Sequence, residues 1–218
     1  MAGAWDETER YRSIEAKENK RLAMNAGAPY NQSSMWVRFN EAKATQAAAR
    51  FLRLQGGRMN YMKLIKLLYL LDRSSLLTWG RPVTTDRYVS MDRGPVVSRI
   101  LNLIREEPEP GSTSFWRQHI SGRKAYSVQL VLDPGSDDLS RSEEDLIDAI
   151  FAEHGRKDQW QLVDFCHHLP EWKDPEGSSL PLGYADILRA GDKTEDEIRE
   201  VVAELNALAT AETRYSPA

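Results

Sequence analysis

The sequence has little or nothing of several features that define common protein classes. It contains one cysteine, Cys166, which cannot form an intramolecular disulfide and fits a reducing compartment. No apolar run reaches the roughly 20 residues that a helix needs to span a bilayer. The N-terminal MAGAWDETERYRSIEAKENK lacks the apolar core of a signal peptide. We therefore expect a cytoplasmic protein with no membrane partner.

The signatures of common enzymes are also missing. The chain has no P-loop, no G-x-G-x-x-G, no G-x-S-x-G and no H-E-x-x-H motif. Its net charge is −4, which gives no support for a nucleic-acid partner. The absence of these motifs favours a protein that is not an enzyme, and we expect no cofactor. With 218 residues, we expect one domain plus an extension.

The apolar content is concentrated in NYMKLIKLLYLLDRSSLLTWG, which begins at Asn60 and ends at Gly80. Its apolar residues recur too densely for one face of a surface helix, so the pattern predicts a central helix that neighbours contact on most sides. Asn60 is the predicted N-cap of this helix. Gly80 is the predicted C′ residue, the position just past the helix where glycine commonly adopts the left-handed conformation.

The polar residues of this helix fall on two sides. Lys63, Lys66 and Arg73 share one narrow stripe, which we expect to face outward, and Asp72 lies on the opposite, apolar side. A buried carboxylate is costly unless it is paired, so we expect Asp72 to have a structural role with a cation or donor as its partner. The candidates are Arg93, Arg99 and His167. The alternative is that Asp72 reaches solvent near the helix end.

The remaining elements are predicted from periodicity and caps. The residues from Asp86 to Ser90 are predicted to be extended, and Gly94 and Pro95 turn the chain into a helix in which Pro95 occupies the first turn. Two β-like runs, 114–120 and 124–132, predict a hairpin to which 86–90 could add a third strand. Further helices are predicted over 35–55 and 159–169, and after capping boxes at Ser140 and Thr194. The predicted fold is mainly α, with a small antiparallel β-element inserted into a helical domain.

The histidines around the cysteine suggest a different class of protein. Cys166, His167 and His168 are adjacent, and thiolate and imidazole are zinc ligands or a catalytic pair. However, adjacent helical residues diverge by about 100° and cannot all face one ion. We therefore expect no metal site and no catalytic residue, and a buried structural cysteine. A hydrolase or metal-dependent enzyme centred on Cys166, His167 and Asp72 is the alternative.

Two separated segments resemble a known family. KLIKLLYLLDR with the following WGRPV and GPVVSRI resembles the Panacea domain of SocA-like antitoxins. LSRSEEDLIDAIFAEHG followed by LVDFCHHLPEW is similar to the closing helix of that family and its His-containing turn. This turn holds His167 and Trp172, which we assign to structure. The chain departs from the family pattern at Cys166 and His168. The resemblance implies an antitoxin that neutralises a cognate protein toxin by direct contact, and some members look like adaptors for a cytoplasmic ATP-dependent protease.

These inferences divide the chain and select a candidate surface. We expect a charged arm and linker over 1–34, the antitoxin-like domain over 35–209 and a frayed tail over 210–218, and homo-oligomers are left open. The partner-binding residues are expected on exposed parts of the family-like segment, where Arg and Tyr are favoured. They are Lys63, Lys66, Arg73, Asp86, Tyr88 and Arg93. Gly94 and Pro95 are expected to serve the turn itself.

Overall fold

The computed structural model describes residues 37–105 and 114–215, and within them the protein is mainly α with small antiparallel sheets, as predicted. The helices are α1 (Glu41–Leu54), α2 (Tyr61–Trp79), α3 (Ser98–Arg105), α4 (Phe115–His119), α5 (Arg141–His154), α6 (Gln159–His167), α7 (Tyr184–Ala190) and α8 (Glu195–Tyr215). The strands are β1 (Arg58–Asn60), β2 (Tyr88–Met91), β3 (Gly94–Val97), β4 (Ser127–Gln129) and β5 (Leu180–Leu182).

The predicted central helix is α2. The Asn60 side chain accepts a hydrogen bond from the Met62 N–H, and Gly80 ends the helix with φ 72°, so both predicted caps are confirmed. The first twelve residues of α2, from Tyr61 to Asp72, are all buried. Helices α1, α3, α5, α6 and α7 all contact α2, which therefore forms the middle of the core.

The five strands form two small sheets rather than one. In the first sheet β2 lies between β3 and β5, and Ser90 pairs with Pro95 on one side and with Leu180 on the other. Pro95 therefore belongs to a strand, and the prediction that it opens a helix is wrong. The chain reverses at Gly94 with φ +86°, which leaves Pro95 extended against β2, and α3 begins only at Ser98.

The second sheet pairs β1 with β4. The predicted strand over 114–120 is instead the short helix α4, with Ser114 as its N-cap. The Glu41 carboxylate accepts hydrogen bonds from the Ser114 hydroxyl and from the Trp116 N–H, at 2.9 Å for the latter. This contact with α1 fixes the helical start and overrides the local β preference. Ile120 contributes only an isolated bridge to Leu130.

The later helices begin where the capping motifs predict. Ser140 and Glu143 form a reciprocal capping box ahead of α5, and Thr194 and Glu197 make the equivalent bonds ahead of α8. Helix α8 continues to Tyr215, past the predicted start of the tail at residue 210. The predicted arm over 1–34 lies outside the described residues. Among the described helices, none is both long and apolar enough to cross a bilayer.

Candidate functional site

A buried carboxylate on α2 holds the loop that follows this helix. Asp72 has no exposed surface, and its Oδ1 accepts hydrogen bonds from the N–H groups of Val83 at 2.9 Å and Thr84 at 2.8 Å. Its Oδ2 accepts from the hydroxyl of Thr84 and, at 3.0 Å, from the hydroxyl of Tyr88. One side chain therefore fixes the loop and the start of β2 against the central helix.

The predicted burial of Asp72 is confirmed, but its predicted partners are wrong. The hydrogen bonds come from neutral backbone and hydroxyl groups and not from Arg93, Arg99 or His167. The reason is the reversal at Gly80, because it brings the N–H groups of the next residues back over the helix. Four donors on one carboxylate compensate for much of the lost hydration.

A second buried carboxylate continues this arrangement. Asp86 is fully buried and accepts hydrogen bonds from the N–H groups of Arg99 and Ile100, both at 2.9 Å, and of Arg87 at 2.6 Å. Two of these donors belong to the first turn of α3, where N–H groups have no partner within the helix. Asp86 thus caps α3 from the strand-side segment that precedes the hairpin, and its predicted exposure is wrong.

Burial dominates the titration of both carboxyl groups. It raises the pKa of Asp72 to about 7, and the hydrogen bonds from Thr84 and Tyr88 oppose this rise. Burial likewise raises the pKa of Asp86 to about 6 against the backbone donors of α3 and Arg87. The negative charge of Asp86 further raises the pKa of Asp72. The loop between α2 and β2 is therefore held by two groups that titrate near neutrality.

The opposite side of α2 carries a buried polar cluster. Lys66 is 1% exposed and donates to the Pro95 carbonyl at 2.7 Å. Tyr69 donates to Glu171 Oε1 at 2.8 Å, and the Nε of Arg73 donates to the same oxygen at 2.7 Å. The Glu171 side chain has no exposed surface. Burial, and then the charge of Glu171, raise the pKa of Tyr69 well above its usual range.

The predicted outward basic stripe is therefore wrong for its two lysines. Lys63 is 8% exposed and donates to Gln55 Oε1 and to the Gly155 carbonyl, both at 2.7 Å, and burial lowers its pKa. Lys66 is covered by β3 and α6. Helix α2 is more deeply buried than its lysines predict. Its lysines can be buried because their ammonium groups donate hydrogen bonds to carbonyl oxygens of other elements. Tyr88, also a predicted partner-binding residue, is fully buried.

The turn of the β2–β3 hairpin is clamped by the segment that ends α6. His167 Nε2 lies 3.1 Å from the Asp92 carbonyl, and Trp172 Nε1 donates to the Met91 carbonyl at 3.1 Å. The two rings stack with centroids 4.2 Å apart. At Gly94, an added Cβ would lie only 3.2 Å from Cys166 Cβ. These contacts give His167, Trp172 and Gly94 positions that suit a structural role.

The cysteine and the histidines do not form a common site. Cys166 is fully buried, and burial raises the pKa of its thiol to about 11. His154 packs on Phe165, and His168 Nδ1 lies 2.7 Å from the Asp164 carbonyl. Across residues 37–105 and 114–215, no three His, Cys, Asp or Glu side chains are grouped as metal ligands would be. The thiol is therefore protonated and shielded at neutral pH, which is unfavourable for a nucleophile.

Two of the predicted partner-binding residues keep some exposed surface. Arg73 is 18% exposed at its side chain and forms the ion pair with Glu171. The guanidinium of Arg93 lies 5.6 Å from the centroid of the Trp160 ring, and its Nη1 lies 3.6 Å from the Met62 sulfur. Their role in partner binding stays a prediction. The sequence alone does not point to Tyr69 and Glu171. Tyr69 shares the helical face of Lys66 and Arg73, but only the fold brings Glu171 to it.

The fold and these contacts define a helical scaffold in which buried polar groups fix loops and a hairpin around one central helix. The family model for antitoxin SocA-like proteins with a Panacea domain matches residues 64–173, half of the chain. The chain belongs to this family. The match begins within α2 and ends just after Trp172, so it contains Asp72, Asp86, the hairpin turn and Glu171. No curated protein and no solved structure matches the chain.

Proposed function

We propose that the chain is the antitoxin of a toxin–antitoxin pair and neutralises a separately encoded protein toxin by direct contact. The observation that supports this most is the match of the SocA-like antitoxin model to residues 64–173. The proposal assigns toxin binding to the domain over 35–209. Both proteins would act in the cytoplasm.

The burial of the candidate nucleophile supports binding over catalysis. The thiol of Cys166 has no exposed surface and a raised pKa, and the carboxylate of Asp72 is engaged by four donors. A hydrolase centred on these residues would need both groups to reach substrate. In this fold Asp72 holds a loop and Cys166 packs in the core, which supports a structural role for both residues.

Co-expression tests this function. The reading frames next to the gene are expressed from an inducible promoter, alone and together with the chain. We expect one of them to stop growth and the chain to restore it, and the purified pair to elute together from a sizing column. If a neighbouring reading frame stops growth and the chain does not restore it, the proposal is contradicted.

Two further measurements in the same assay distinguish binding from catalysis, and occlusion of the toxin from its degradation. Cys166→Ser should restore growth as the wild type does, whereas an enzyme that used the thiol would lose its effect. The toxin level after rescue distinguishes occlusion from delivery to an ATP-dependent protease. A steady level indicates occlusion, and a level that falls only in cells that contain the protease indicates delivery.

A further inference from the structure

A groove of about 750 Å³ lies between the start of α1, the loop after α2, the start of α5 and the middle of α8. Its apolar lining includes Trp79 and Leu208, whose side chains remain 39% and 43% exposed. Val83 and Leu205 lie at 1% and 2% exposure in the same wall. A groove with a buried apolar base and partly exposed large side chains is a common form of docking site for a partner segment.

The charges of the groove are unevenly compensated. Glu143 lies 2.7 Å from the Lys43 ammonium, and Asp138 accepts a hydrogen bond from Gln46 at 3.2 Å. The exposed guanidinium of Arg81 has no hydrogen bond or ion pair with any residue that the structure describes. The lining carries the basic residues Arg38, Lys43 and Arg81 against the acidic residues Asp138 and Glu143, so a net positive charge is left for a ligand. A carboxylate is the group that complements it.

The groove also combines two parts of the chain. Trp79 and Arg81 lie inside the segment that the family model matches, whereas Leu205 and Leu208 come from α8, outside it. Val201 of α8 lies against the end of α2, since a Cβ added at Gly80 would lie 3.4 Å from Val201 Cγ2. A family scaffold with a wall supplied by a flanking helix is suited to recognition of one particular partner.

We propose that this groove receives an acidic segment of the toxin that carries a large apolar side chain. The apolar side chain packs between Trp79 and Leu208, and a carboxylate near it pairs with Arg81. The proposal rests on the proposed antitoxin function and identifies the surface that performs it. It differs from the surface expected from the sequence, most of which is buried.

Two charge-introducing variants and two matched controls test the groove with the toxin found by co-expression. Leu208→Glu should raise the dissociation constant at least about tenfold, since a large apolar anchor is lost. Arg81→Glu should mainly slow association, and added salt should weaken wild-type binding in the same direction. Leu132→Glu and Arg156→Glu change exposed residues that do not line the groove, and should bind as the wild type does.

Melting temperatures measured by circular dichroism establish that all four variants are folded, and surface positions of this kind are expected to change them little. If the toxin binds folded Leu208→Glu and Arg81→Glu as tightly as the wild type, the groove is not the docking site. If the wild type itself does not bind the toxin, the proposed function has failed, and the toxin experiment then says nothing in favour of the groove.

A peptide selection that needs no toxin tests whether the groove prefers acidic segments with a large apolar side chain. It applies whether or not the toxin binds the wild type. Short peptides displayed on phage are selected on the wild type and counter-selected on the Arg81→Glu, Leu208→Glu double variant. We expect the surviving sequences to place Asp or Glu within one helical turn of Leu, Phe or Trp. Synthetic copies should bind the double variant at least about tenfold more weakly than the wild type. Peptides without acidic residues, or an empty selection, would overturn the proposal.

Discussion

The hydroxyl of Tyr88 donates a hydrogen bond of 3.0 Å to the carboxylate of Asp72, and neither side chain has any exposed surface. This bond joins the first residue of β2 to the central helix. Asp72→Ala would remove the acceptor for Tyr88 and for the donors of Val83 and Thr84. We expect the free energy of unfolding to fall by about 3 kcal/mol, measured by urea unfolding.

Asp72→Asn is the matched control, because the amide retains an oxygen for the backbone N–H groups and can donate to the two hydroxyls. It should cost clearly less than the alanine variant. Equal midpoints and slopes for Asp72→Ala and the wild type would show that the residue does not hold the loop.

The raised pKa values predict a pH dependence of stability. Because the folded-state pKa of Asp72 is about 7 against a usual value of 3.8, the folded protein binds this proton more tightly than the unfolded chain does. The contribution of this bound proton to the free energy of unfolding is fully present below about pH 4 and is lost as the pH rises through about 7. The proton on Asp86 contributes in the same way, and its contribution is lost as the pH rises through about 6. Between about pH 5 and pH 8 we expect the contribution of these two protons to stability to fall by roughly 4 kcal/mol, and His154 and His167, whose pKa values burial lowers, oppose part of this fall.

Other carboxylates act in the opposite sense at lower pH. The pKa of Asp148 is lowered by its hydrogen bond from Arg50, so its contribution is lost on acidification. The difference between the wild type and Asp72→Asn isolates the single proton. Asp72→Asn should flatten the fall between pH 5 and pH 8, and a difference that does not change with pH would contradict the assignment.

The turn at Gly94 predicts a cost for even one methyl group. Gly94→Ala places a side chain at φ +86° and 3.2 Å from both Cys166 Cβ and Lys66 Nζ. We expect a loss of about 2 kcal/mol, measured as the urea midpoint at an unchanged slope. At Gly122 an added Cβ meets nothing within 4 Å, so Gly122→Ala is the control and should be close to neutral. Equal stability of the two variants would argue against a tight turn.

The cluster around Glu171 predicts coupling between two side chains. Tyr69→Phe removes the donor of the bond between the hydroxyl and the carboxylate, Glu171→Ala removes its acceptor, and each variant should lower stability by about 1–3 kcal/mol. In a double-mutant cycle, the two losses should sum to more than the loss of the double variant, with a coupling of about 1 kcal/mol. Strict additivity would mean that the hydrogen bond does not contribute.

The burial of Cys166 predicts that its thiol reacts slowly with thiol reagents in the native protein. With no exposed surface and a pKa of about 11, it should react with an aromatic disulfide reagent only when the protein opens. In urea, one equivalent should react at once, because the chain has a single cysteine. Immediate reaction of one equivalent in the native protein would instead indicate an accessible thiolate and revive the catalytic alternative.

The parts of the fold that the sequence predicts are those with local signals. Asn60 and Gly80 mark the two ends of the central helix and form hydrogen bonds with residues only a few positions away. The capping box at Ser140 is equally local. The helix at Ser114 could not be predicted, because its start depends on Glu41 in another helix. Pro95 fits the first turn of a helix and a strand alike, and only the pairing with Ser90 decides between them.

The candidate surface was harder to predict for a related reason. The stripe of Lys63 and Lys66 has the spacing of a solvated face, but both ammonium groups find carbonyl acceptors in distant elements. Periodicity identifies which residues share a face and does not identify what covers that face. The groove beside Trp79 could not be predicted at all, because its walls come from four separate segments.

One of the two outer strands of the three-stranded sheet, β5, has a middle residue without an N–H group. Pro181 occupies this position in β5, between Leu180 and Leu182, and faces Val89 in the register. A strand from another molecule that approached this edge would find no donor at its centre. This edge of the sheet is thus protected against growth by strand addition.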